Sequence, residues 1–321
     1  MNRAKHILTM LAVATIFTFP HVQAQSTEPI RIVVPFPVGG SSDGMARLVA
    51  AELSKELDRN VIVESVPGGS GLLASRRVMN APADGNTLLV VAPTTMIILP
   101  KTTKLDFEPL EEFFPVSNLG SNPLVLSVHN SVPASSLQEF ITWVKSKPNN
   151  EVNFASGGTG TSTHLVAELF FERADVELTH VPYKGGSPAL RDLLAGHVSA
   201  YFGNPADFLP HADGGVIRVL ATSGEDRLAE LPDVPALHET IPELSLLTWN
   251  GLAYLKGTPK ETVDRVSQAI QRISKKPDYI AGMNRLGVTP IGNTPEEFSA
   301  AIKRDRELWD EAIEISGIEQ Q

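Results

Sequence analysis

Four times the chain writes Gly-Gly followed by Ser or Thr, each time just after an extended apolar run. The copies are Gly39-Gly40-Ser41, Gly68-Gly69-Ser70, Gly157-Gly158-Thr159 and Gly185-Gly186-Ser187. The first two begin 29 residues apart (39 to 68) and the last two 28 apart (157 to 185), close to the ~30 residues of one strand–helix–strand unit. Two such pairs, whose first members lie 118 residues apart (39 to 157), predict two similar lobes. Paired glycines let backbone approach a ligand closely, and a helix N-terminus behind them offers free N–H donors. The pattern predicts a two-lobed clamp for a small anion.

The first 24 residues stand outside that pattern. Arg3 and Lys5 form a basic start, Ile7 to Phe19 is an uncharged apolar run, and Pro20 breaks it before Val22-Gln23-Ala24. This is the layout of a secretory signal peptide cleaved after Ala24, and the apolar run is too short for a stable membrane anchor. The chain has no cysteine, which rules out a lipoprotein anchor, disulfides, thiolate metal sites and a cysteine nucleophile. The expected location is the periplasm.

The formal net charge is −10, and removing Arg3 and Lys5 would make it two units more negative. Nucleic acid is not an expected partner for so acidic a chain. The same charge repels an anionic ligand at long range, so capture has to rest on local donors.

Strands alternate with helices throughout. Ile30 to Phe36 reads as a buried strand, and Met45, Leu48, Val49, Leu53 and Leu57 recur at helical spacing behind the first glycine loop. Ser41 or Ser42 is placed to cap that helix and Asp43 to sit in its first turn. Further strands are expected at Val61–Glu64, Thr87–Val91, Leu124–Val128, Val152–Ala155, Leu178–Val181, Val198–Phe202 and Val216–Ala221, with helices at Ser135–Ser146, Ser162–Glu172 and from Gly186 through Leu194. The alternation predicts parallel sheets in both lobes. After Trp249 the pattern turns helical. Glu261 to Ser274 is one helix, and Thr294-Pro295-Glu296-Glu297 opens another with a capping box and proline at the first helical position. These helices are expected to return to the first lobe, with chain crossings near Ser121–Pro123 and Leu247–Gly251.

In open α/β sheets ligands sit at the carboxyl ends of strands beside helix N-termini, so the loops define the candidate ligand contacts. In the first lobe they are Pro37, Val38, Gly39, Gly40, Ser41 and Ser42, with Thr94 after the Thr87–Val91 strand. The second lobe supplies Gly157, Gly158, Thr159, Gly160 and Thr161, then Tyr183 and Lys184 before the fourth glycine pair, and Asn204 at the end of another strand. Each charge-assisted hydrogen bond contributes about 1.5–3 kcal/mol, so four or five can reach the ~8 kcal/mol of micromolar binding after ordering costs. Lys184 offers a local positive charge, with a solvated surface position as its competing role. For Arg47 the competing role is an ion pair with a neighbouring acid, and for Trp249, set near a crossing, it is plain core packing. His164 is expected at the surface or as a helix cap.

Two enzyme signatures are missing: there is no His-Glu-x-x-His and no Walker-type Gly-Lys-Ser/Thr. Gly158-x-Gly160 starts a dinucleotide fingerprint, but Thr163 stands where its third glycine belongs. No cofactor and no metal are expected. An exported hydrolase or lyase remains an alternative, for which His164 with Ser162 is the nearest approach to a base and nucleophile.

The chain resembles the Bug family, the periplasmic solute-binding receptors of tripartite tricarboxylate transporters. The resemblance is carried by Ile32-Val33-Val34-Pro35-Phe36-Pro37-Val38-Gly39-Gly40-Ser41-Ser42-Asp43, by Val63-Glu64-Ser65-Val66-Pro67-Gly68-Gly69-Ser70-Gly71 and by Ala81-Pro82-Ala83-Asp84-Gly85-Asn86. Also in the family's order are His180-Val181-Pro182-Tyr183-Lys184-Gly185-Gly186-Ser187, Leu231-Pro232-Asp233-Val234-Pro235 and Trp249-Asn250-Gly251-Leu252. It implies a two-lobed type II, Venus-flytrap periplasmic-binding fold with two crossover segments: lobe 1 over 25–122 plus 250–321, lobe 2 over 123–249. It implies a monomer that holds the carboxylate of a small organic acid between Gly39–Ser42 and a facing loop, and hands it to an integral-membrane permease. A ligand sensor serving a two-component system is the alternative on the same scaffold. Ser65 replaces the family's usual Asn, and Thr161-Ser162 stand where Gln or Pro is common; both departures bear on which acid is bound.

Overall fold

The computed structural model describes residues 28–148, 151–212, 214–242, 244–318 and 320; the expected signal peptide lies outside them. The first lobe begins with β1 (Ile30–Val34), buried at every position but Arg31. It feeds α1 (Ser41–Leu57), β2 (Val61–Ser65), α2 (Leu72–Met79) and β3 (Thr87–Val91). β1 lies between β2 and β3, parallel to both, and the apolar character of the three strands follows from cover on both faces. A single π-type turn at Thr94–Ile98 leads into the short helices α3 (Leu99–Thr102) and α4 (Pro109–Glu112).

The second lobe repeats the design. β5 (Val125–His129), α5 (Leu137–Lys145), β6 (Asn153–Ser156), α6 (Ser162–Ala174), β7 (Thr179–Pro182), α7 (Gly186–Leu194), β8 (Ala200–Gly203), α8 (Pro205–Phe208) and β9 (Ile217–Thr222) follow in order. β6 sits between β7 and β8, parallel to both. Each glycine pair therefore ends a parallel strand.

Two long strands join the lobes and were not anticipated. β4 (Phe113–Pro123) runs in the first sheet and passes through Leu124 into β5 of the second. β10 (Leu247–Leu255) returns beside it, with Leu247 opposite Pro123. The expectation of parallel sheets is corrected by these connections. β10 is antiparallel to β3 and β4, and β5 is antiparallel to β8 and β9, because no helical crossover separates the strands at either transfer. With β11 (Thr289–Pro290) the orders are β11-β4-β10-β3-β1-β2 and β7-β6-β8-β5-β9.

After β10 come α9 (Lys260–Ile273), α10 (Pro277–Asn284) and α11 (Pro295–Ser316). α9 and α10 pack on α1 in the first lobe. α11 does more than return there: it rests on β4 and also on α6 of the second lobe, with an Arg173–Glu311 ion pair between α6 and α11. Its Phe298, Ile302 and Trp309 join a buried apolar cluster that runs from Val33 and Leu89 to Phe154 and Phe170. Trp249 is buried in this cluster, edge-on to Phe298, and its Nε1 donates to Asp305 at 2.7 Å. The capping box of α11 forms as read. Thr294 N donates to Glu297 Oε2 (2.9 Å), and Glu297 N donates to Thr294 Oγ1 (3.2 Å). Replacing Thr294 with Ala is expected to cost about 1 kcal/mol of stability, checked as a lower midpoint in urea unfolding. Among the described residues no helix is long and apolar enough to cross a membrane.

Candidate ligand-binding site

Three helices point their N-termini into one small cavity of about 70 Å³ between the lobes. α1 contributes Gly40, Ser41 and Ser42 with Phe36 and Pro37 from the loop before it; α6 contributes Gly157, Thr161, Ser162 and Thr163; α7 contributes Gly185, Gly186 and Ser187. The remaining wall includes Thr94, Tyr201, Asn204, Asp207, Thr248 and Asn250. The first-turn N–H groups of such helices have no helical acceptor, and their dipoles favour negative charge. Among the described residues the wall contains no lysine, arginine or histidine.

The serines divide their labour. Ser42 Oγ donates to Asn250 Oδ1 at 2.7 Å and ties α1 to β10. Ser41 is 3 % exposed and its Oγ has no partner among the described residues, which leaves a buried hydroxyl for a ligand. Neither serine caps α1; Gly40 is the cap residue, and Asp43 Oδ2 accepts the Gly39 N–H at 3.0 Å. Arg47 Nε pairs with the same Asp43 oxygen at 2.9 Å, so it serves the neighbouring acid.

The lobes touch across the cavity. Ser162 N donates to Thr94 Oγ1 (3.2 Å), and the two hydroxyls lie 3.1 Å apart. Ser70 Oγ donates to the Thr159 carbonyl at 3.0 Å, and Asn122 Nδ2 donates to Asn204 Oδ1 at 3.1 Å. Gly185 meets Pro37 so closely that a Cβ at 185 would overlap the proline ring. The lobes are thus closed on one another.

The sequence-predicted residues fall in two neighbouring cavities. Pro37, Gly40, Ser41, Ser42, Thr94, Gly157, Thr161 and Asn204 line the inner one. Gly158, Thr159, Tyr183 and Lys184 line an outer one of about 370 Å³, which shares Phe36, Pro37, Gly157, Thr161 and Gly185 with the first. Lys184 is exposed there. Tyr183 Oη donates to Asp192 Oδ2 at 2.5 Å, and burial together with that contact pushes its hydroxyl up to about 12. Val38 is 62 % exposed and lines neither cavity, nor do Gly39 and Gly160.

His164 corrects the expectation of a surface position. It is buried, its Nδ1 accepts the Gly160 N–H at 3.3 Å, and its Nε2 lies 3.3 Å from Glu168 Oε1. Its ring stacks at 3.8 Å on His180, which shares a 2.6 Å hydrogen bond with Ser156 Oγ. Burial, and then the neighbouring His164, hold His180 down at about 3. The pair braces the glycine loop from below. Ser162 is engaged with Thr94, so the base–nucleophile pairing imagined for His164 and Ser162 is not formed. Among the described residues no group of three or more acidic or histidine side chains could hold a metal ion.

Sequence reasoning missed Tyr201, Asp207, Thr248 and Asn250. Asp207 is fully buried, and its Oδ2 accepts from Tyr201 Oη (2.9 Å) and Asn204 N (3.2 Å). Desolvation pushes its carboxyl up to about 6. A carboxyl whose folded pKa exceeds its unfolded value stabilises the fold at low pH and loses that contribution as pH rises through the folded pKa. Asp207→Asn is therefore expected to gain melting temperature relative to the natural protein between pH 6 and 8, with the gain shrinking toward pH 4; paired thermal melts check this.

Residues 45–318 match the model of the tripartite tricarboxylate transporter family receptor. The chain is 32 % identical over 292 residues to Protein BugT of Bordetella pertussis, covering 90 % of this chain and 89 % of that one. Among solved structures it is similar to the periplasmic binding protein BugD (TM-score 0.85, 28 % identity, 91 % of this chain and 99 % of that one). It is also similar to Rpa4515 of R. palustris with adipate (TM-score 0.88, 29 % identity, 92 % of this chain and 99 % of that one).

Proposed function

The chain belongs to the tripartite tricarboxylate transporter receptor family, and from that premise we propose that it binds the carboxylate of a small organic acid at the junction of α1, α6 and α7. It is an extracytoplasmic solute receptor that delivers its ligand to the membrane subunits of a tripartite transporter. The observation that carries the binding site is the convergence of three helix N-termini on a cavity whose wall, among the described residues, has no cationic side chain. Backbone N–H groups and the Ser41 hydroxyl then supply the positive potential, and they do so in a chain that is acidic overall. Screening over ~8 Å mutes the long-range repulsion. The adipate held by Rpa4515 is a ligand of this chemical kind.

The ligand bridges both lobes and holds them closed, and the closed form is the one that docks on the permease. We take the lobes as residues 25–122 with 250–321 and residues 123–249. The receptor works in the periplasm as a monomer, after cleavage behind Ala24. A receptor role accords with Ser162 being bonded to Thr94 and His164 to the glycine loop, where a hydrolase would need them paired. The test is calorimetric titration of the purified protein with a panel of mono-, di- and tricarboxylates, hydroxy acids and amino acids. Micromolar or tighter binding of at least one acid is expected. Folded protein that ignores every acid in the panel would overturn the reading.

A further inference from the structure

Among the described residues the inner cavity has one acidic side chain, Asp207, and no lysine, arginine or histidine. Asp207 sits in the same wall as the α1 N-terminus. Its Oδ2 accepts the hydrogen bonds from Tyr201 Oη and Asn204 N. The α8 cap does not explain the charge, since a neutral amide oxygen can accept from Tyr201 Oη and Asn204 N equally well. The backbone makes deliberate room for the pair. A Cβ at Gly186 would lie 2.8 Å from Tyr201 Oη and 2.9 Å from Asp207 Oδ2, and one at Gly203 would lie 2.5 Å from the Tyr201 ring. An uncompensated carboxylate buried in an anion-binding cavity is costly unless a ligand completes it.

We propose that Asp207 is a specificity-determining residue whose carboxylate accepts a hydrogen bond from the end of the ligand remote from its own carboxyl group. The ligand is then an acid carrying a hydroxyl or ammonium donor, and a second carboxylate is disfavoured. This deepens the receptor reading above and rests on it. A site built to accept from a donor rejects analogues lacking one, because its own group is left unpaired. Against a dicarboxylate the same group acts by repulsion.

The test compares matched straight-chain acids of four to six carbons by calorimetry at pH 7.5. Each length is offered as the unsubstituted acid, its ω-hydroxy form, its ω-amino form, and the dicarboxylate. With the natural protein, at least one donor-bearing acid is expected to bind ten-fold or more tightly than the unsubstituted acid and the dicarboxylate of its length. Comparing the hydroxy and amino arms identifies the donor. Asp207→Asn is expected to shrink the donor-to-dicarboxylate ratio at least ten-fold. A dicarboxylate or unsubstituted acid that matches or beats every donor-bearing acid would overturn the assignment, as would an unchanged ratio in the folded variant. The ranking on the natural protein decides even if the variant fails to fold. Silence from the whole panel would overturn the receptor reading and this one with it, a result distinct from a bound panel with dicarboxylates on top.

Discussion

Gly185→Ala is expected to weaken ligand binding about 100-fold, or ~3 kcal/mol. Gly185 lies at φ 109°, ψ 174°, a region essentially reserved for glycine, where another residue costs roughly 1–3 kcal/mol. That strain belongs to the second lobe and is present whether the lobes are open or shut. The overlap of a Cβ with the Pro37 ring exists only in the closed arrangement, so it acts on closure and hence on affinity. The two effects separate experimentally. Melting of the ligand-free variant reports the backbone strain, and calorimetry with any acid that binds the natural protein reports the overlap. Pro37→Ala in the Gly185→Ala background is expected to restore at least ten-fold of the lost affinity, a coupling that a double-mutant cycle measures. Equal affinities for Gly185→Ala and the natural protein would mean that ligand binds without this contact.

Gly251→Ala is expected to be the most damaging single-methyl change to stability, about 3 kcal/mol or more. Gly251 sits in β10 between its two neighbours, opposite Val91 on one side and Asn118 on the other, at an irregularity in the β10–β4 pairing. A Cβ there would overlap the Phe298 ring and lie 2.8 Å from the Ser117 carbonyl oxygen. Phe298, in the first turn of α11, is fully buried and packs edge-on to Trp249, so it has no free direction in which to move. Overpacking a tight core typically costs 1–3 kcal/mol, and backbone on the other side of the added methyl removes the easiest relief. Urea unfolding of Gly251→Ala, alone and with Phe298→Leu, checks both magnitude and cause. Recovery of part of the loss in the double variant is the expected outcome.

What could be read from the chain alone is what is local. The glycine pairs were legible because they reflect backbone demand: Gly39, Gly68, Gly69, Gly158 and Gly185 all take positive φ. The capping box at Thr294 and Glu297 is a four-residue affair. β4 was not legible. Its stretch from Ser117 to Asn122 is polar and contains Gly120, and it forms a strand because β10, more than a hundred residues later, pairs along its length. Strand direction in both sheets depended on the same distant partners. Asp207 looked like any acid near a helix start, and its meaning comes from Gly186 and Tyr201, which reach it only in the folded lobe. His164 was misjudged because its neighbour in space, His180, belongs to the next strand. The glycine loops pointed to the cavity, but which of their residues faces it depends on the far lobe: Pro37 touching Gly185 is such a contact, and no local pattern encodes it.

The place of β10 bears on the order in which the molecule can assemble. β3 and β4 are held side by side only through β10, which arrives with residues 247–255. All five strands of the other sheet lie earlier, between Val125 and Thr222. A polypeptide threaded N-terminus first through a translocation channel therefore presents a completable second lobe while the first still has an unfilled slot between two open strand edges. Its own N-terminal strands must wait for this late insertion, and α11 then fastens the two halves. Such a chain stays threadable until most of it has passed through.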